Sequence, residues 1–183
     1  MPTPRNPAWA ELIQLAPVLS LAMPFIIQGE VDLGRASQGF LVGALLTLPI
    51  SAFILYRNYA LNPILIGTGL WLFIGAYAFN TQREALAAWL IQAQAFGLFV
   101  SILAVGVATT FVSPQGFIGC VHQDREWLRR ASLLLLAFSA LAAIEAYWLR
   151  GNIRLGGGLP FVVLNVLRRV VISHKTSVRS VAR

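Results

Sequence analysis

From Ala85 to Val112 the chain reads ALAAWLIQAQAFGLFVSILAVGVATTFV, without one ionisable side chain. A helix over this stretch reaches about 40 Å, more than the roughly 30 Å of bilayer hydrocarbon, so the sequence predicts one long, tilted membrane span. Ala93, Gly97, Ser101, Ala104 and Ala108 recur at helical spacing along one side of it. Small residues in such a seam let another helix approach closely.

The rest of the chain must suit that span. Of its 183 residues 57% are hydrophobic and 11% charged, against about a quarter charged in soluble domains, which makes this an all-α integral membrane protein. Further apolar segments occur at Gly39–Tyr56, from Asn62-Pro63 to Phe79, and at Ala131–Leu149. Leu12–Ile27 is shorter and is interrupted by Gln14, Pro17 and Pro24, so it can be a kinked span, an interfacial helix or a re-entrant piece. The expected architecture is a bundle of about five transmembrane helices, four to six by length, over residues 1–150. Residues 151–183 then form a glycine hinge, an amphipathic interfacial helix and a basic tail. No secretory leader is read at the start, where prolines replace a basic cluster.

The helix Gly39–Tyr56 carries Gly39, Gly43, Thr47 and Ser51 every fourth residue, a second seam that begins as GxxxG. Its expected partner is the Ala93–Ala108 seam, and Pro49 should bend it near its end. Few groups within the spans can contact a solute. Glu145 is the ionisable residue inside a strong span, Gln94 lies beside the long seam, and Thr47 and Ser51 offer hydroxyls. Intramembrane polar groups are pathway candidates because burying them is costly, although Glu145 also lies within reach of headgroup water.

The link Ser113–Arg130 is the longest between spans and holds Cys120, His122, Asp124 and Glu126 in alternation. An extended strand would align these four; a helix would scatter them, and an interfacial loop with Phe117, Ile118 and Val121 dipping into the membrane surface is the simpler reading. Cys120 is the one cysteine, which excludes an internal disulfide and a multi-thiolate metal site. The loop Gln28–Gln38, with Glu30 and Asp32, reads as a solvated connector. No metal or cofactor motif stands out. Gly156-Gly157-Gly158 lacks the Lys-Ser/Thr continuation of a phosphate loop. No histidine lies in a confident span to hold haem, and no HExxH or serine–histidine pair suggests hydrolysis, so the chain leans away from enzymes.

Leu159–Ser173 places Arg168-Arg169 within an apolar pattern, which suits a helix lying on the membrane. Arg168, Arg169, Lys175 and Arg179 are the expected contacts to anionic headgroups; nucleic acid is an unsuitable ligand because no aromatic residues are interleaved with these cations. Counting cations by side places the C-terminus on the more basic, cytoplasmic side of a bacterial-type cell membrane, whether or not Leu12–Ile27 crosses. Two functions fit. One is a small transporter or channel component for a small solute or ion, oligomeric, with Glu145, Gln94, Thr47 and Ser51 on the pathway. The other is a non-catalytic membrane subunit or interaction module of a larger complex.

Overall fold

The structure, a computed structural model, describes residues 8–19, 33–120, 124–152 and 154–181. Glu30, Asp32 and His122, singled out from sequence, lie outside them. Among the described residues the regular elements are all helical: α1 (Ala8–Ile13), α2 (Leu33–Tyr56), α3 (Pro63–Asn80), α4 (Glu84–Val112), α5 (Arg125–Trp148), a π-helical turn (Arg154–Gly158) and α6 (Leu159–Val181). Five segments among the described residues are long and apolar enough to cross a membrane: Ala36–Tyr56, Pro63–Asn80, Glu84–Val112, Arg125–Trp148 and Arg154–Ser173. Residues 20–27 of the Leu12–Ile27 segment, like Val121, lie outside the described residues, and the helix before them, α1, has six residues. The C-terminal helix, read from sequence as interfacial, is long and apolar enough to span. α6 also separates its polar and apolar faces more strongly than the other long helices, as an interfacial helix would.

The chain forms two compact units, Met1–Ala93 and Gln94–Arg183. Their boundary falls inside α4, where Gln94 has non-helical angles of φ 45° and ψ −130°. The expected single 40 Å helix is therefore two helical pieces, of which 95–112 reaches about 27 Å on its own.

In the first unit α2 packs along α3. The phenyl ring of Phe40 occupies the space that a side chain at Gly75 would need, and the Thr47 methyl lies 2.7 Å from where a Gly69 Cβ would stand. The seam of α2 thus meets the glycines of the next helix in sequence. Ala44, Leu72 and Ala76 complete this contact, with the Phe40 ring edge-on to Trp71 and tilted against Phe79, at 6.5 and 5.7 Å between centres. α3 starts where it does because Asn62 caps it, its Oδ1 accepting from the Ile64 N–H at 3.1 Å, and Pro63 supplies a preset first turn. The short N-terminal piece docks on that cap: Gln14 is buried, accepts from the Asn62 N–H at 3.0 Å and donates to the Ala10 carbonyl.

In the second unit, Asp124 caps α5 by accepting from the Trp127 N–H. α5 ends against the first turn of 94–112, where Gln94 Oε1 accepts from the Gly151 N–H at 3.0 Å. Arg150 lies over the rings of Tyr147 and Phe96, 4.0 and 5.9 Å from their centres. The glycine run is a packed corner. A Cβ on Gly156 would come within 3.1 Å of the Leu149 carbonyl, and one on Gly157 within 3.1 Å of Ala95. That corner sends α6 back along α5.

Candidate functional site: a loop folded into the bundle

Part of the segment after α4 is folded inward. Gly116 to Gly119 are all buried, and Phe117 and Ile118 have no exposed area. The Phe117 ring reaches Gly106, where an added Cβ would meet it at 2.9 Å, and its N–H donates to the Ser132 hydroxyl at 3.1 Å. Gly106 and Ser132 each lie roughly 10 Å inside the ends of their helices, so the loop re-enters the bundle by about that distance. Left-handed angles at Gly116 (φ 59°) and Gly119 (φ 65°) make the reversal, and a side chain at either would be strained.

Irregular backbone away from water must find partners within the protein. Here the Ser113 N–H donates to the Thr109 carbonyl, Gly116 to Ser113 and Gly119 to Gly116. The Ile118 carbonyl accepts at 2.8 Å from Nε of Arg168, a residue of α6 only 3% exposed. One arginine thus reaches from the third helix of the unit to the middle of the loop. Cys120 follows, half-buried; burial pushes its thiol up, and the nearby Arg168 charge partly offsets this.

The sequence-predicted pathway residues divide between the units. Thr47 and Ser51 line one small cleft with Gln14, Ile50, Asn62 and Leu65, of about 20 Å³, room for a single water. Thr47 donates to its own helix at the Gly43 carbonyl, 2.8 Å away. In the second unit Gln94 is engaged with Gly151, and Glu145 is exposed on α5. Among the packing residues Gly39, Gly43, Ala93, Gly97 and Ser101 are buried, whereas Ala104 and Ala108 are exposed. The buried side of 95–112 instead runs through Phe99, Ile102 and Gly106. Of the residues expected at headgroups, Arg169 is exposed and Arg168 is inside the protein. Lys175 and Arg179 fall on the last turns of α6, where the backbone alone is described.

Sequence reasoning missed Gly106, Ser132 and the inward role of Phe117 and Arg168. The available signal was the pair Gly116 and Gly119 bracketing two large apolar residues. No group of three or more metal-ligating side chains occurs among the described residues. Comparison with protein-family models, curated proteins and solved structures gives no match to this chain.

Proposed function

We propose that the chain is a small membrane transporter or channel component whose working part is the second unit. The observation that carries this reading is the re-entrant loop tied to a buried arginine. Folding irregular backbone and a cation into an apolar bundle is costly, and such features are characteristic of solute and ion pathways. Reconstitution in liposomes tests it: osmotic swelling should respond to some small neutral or charged solutes with the protein and not with empty vesicles. Equal swelling across a panel of both kinds would remove the transport reading.

A second reading, the non-catalytic membrane subunit, is favoured by the bonding of the helix hydroxyls. Thr47, Thr68, Ser101 and Ser139 all donate to carbonyls of their own helix, as packing residues do. Native mass spectrometry from the source membrane separates the two: a stoichiometric second protein supports the subunit, and a homo-oligomer supports transport.

Orientation follows from charge. If the five apolar segments cross, Arg57, Arg125, Arg129, Arg130 and the tail cations Lys175, Arg179 and Arg183 share one side, against Arg5, Arg35, Arg83, Arg150 and Arg154. The richer side is cytoplasmic by the positive-inside rule, and the C-terminus is there. The re-entrant loop then opens toward the cytoplasm.

A further inference from the structure

We propose that Arg168 is a latch: its bond to Ile118 holds the re-entrant segment in the bundle, and when α6 shifts the segment swings out about Gly116 and Gly119. Three features carry this. Two long-range hydrogen bonds among the described residues hold the loop: the Phe117 N–H donates to the Ser132 hydroxyl on α5, and Arg168 Nε on α6 donates to the Ile118 carbonyl. Both reversals are at glycines with positive φ, which can change conformation without a Cβ penalty. The surface that Phe117 covers includes Gly106, a backbone with no side chain of its own to close the gap once the ring leaves. Outward movement therefore opens a space between 95–112 and α5 about the size of a phenyl ring, and inward movement fills it. Because α6 continues past Arg168 through Arg169 to the basic end of the helix, its position is the natural control of the latch. The inference does not rest on what, if anything, is transported.

Cys120 is a reporter already in place. Two effects of losing Arg168 oppose each other there. With the loop still in, removing the positive charge raises the thiol pKa further, leaves less thiolate and slows alkylation. With the loop released, the thiol is exposed and alkylation accelerates. The experiment is N-ethylmaleimide labelling of the full chain in phosphatidylcholine vesicles at one mildly alkaline pH, for wild type, Arg168→Met and Arg168→Lys. The latch predicts about tenfold faster labelling for Arg168→Met, the scale expected for losing a hydrogen bond from a charged donor. Arg168→Lys keeps the charge with a different reach and donor geometry, so its labelling should rise by roughly twofold to fivefold through access alone. It also decides the matter if Arg168→Met fails to fold. Hydrogen exchange provides the control: amides of Phe117 to Gly119 should lose protection while those of Leu135 to Ser139 keep it. Labelling of Arg168→Lys at or below the wild-type rate, or equal loss of protection in α5, overturns the latch.

Discussion

The contact between Gly106 and Phe117 makes a quantitative prediction. An alanine at position 106 places its Cβ 2.9 Å from the Phe117 ring and 2.8 Å from the Leu136 Cδ2. The leucine methyl can turn aside, but the Phe117 backbone is held to Ser132 through its N–H and its ring has no exposed area. Overpacking of this kind costs about 1–3 kcal/mol, and the better helix propensity of alanine returns roughly 1 kcal/mol, so Gly106→Ala should lose about 0–2 kcal/mol. Phe117→Ala removes about 100 Å³ of side chain, which at roughly 24 cal/mol per Å³ of unfilled cavity costs about 2–3 kcal/mol before other contacts are counted. The double variant is the informative one. Without the ring, the alanine at 106 meets no rigid neighbour and fills part of the space, so the pair should be more stable than the sum of the single effects by about 1–3 kcal/mol. Equilibrium unfolding of all four proteins in one mild detergent, followed by tryptophan fluorescence, gives the cycle. Additivity within about 0.5 kcal/mol would mean that Phe117 does not rest on Gly106, and the re-entrant placement of the loop would fall with it.

Gly75→Leu should sharply lower the folded yield, since Phe40 occupies the space its side chain needs; size-exclusion recovery reports it, and a smaller residue at position 40 should restore part of the loss. Gly43→Leu and Gly97→Leu should act in the same direction at their buried positions. Asn62→Ala removes the cap of α3 and should lower stability by about 1 kcal/mol in thermal unfolding, with no effect expected on Cys120 labelling. Glu145→Gln should change solute or ion flux in liposomes if that carboxylate borders the pathway, while folded yield stays near wild type because the residue is exposed.

Much of the helical content was legible because uncharged runs such as Ala85–Val112 leave few alternatives. Of the α2 seam the spacing was legible, and Gly39 and Gly43 are buried. Its partner was not, since the glycines of α3 meet it through Phe40 and Thr47 and spacing within one helix carries no information about its neighbour. The break at Gln94 is marked by neither proline nor glycine, and a periodic apolar pattern continues across it. Ala104 and Ala108 share their stripe with Gly97 and Ser101, yet packing favours the side where Phe99, Ile102 and Gly106 interlock with other side chains. Arg168 was read as lipid-facing because an arginine in an apolar helix ordinarily snorkels. Its long side chain instead finds a carbonyl presented by a loop fifty positions earlier, a meeting that no local pattern announces.

The packed corner between α5 and α6 acts as a phase setting. Gly156 and Gly157 are clamped against Leu149 and Ala95, so α6 leaves the corner with a fixed rotation about its own axis. One residue added between Gly158 and Arg168 would turn everything beyond it by about 100°. Arg168 would then point away from Ile118, and a neighbouring apolar side chain would replace it. The length of this short piece is therefore under tighter constraint than its composition: substitutions that keep the apolar stripe can be absorbed, while a single insertion or deletion would disconnect the latch without changing any residue in it.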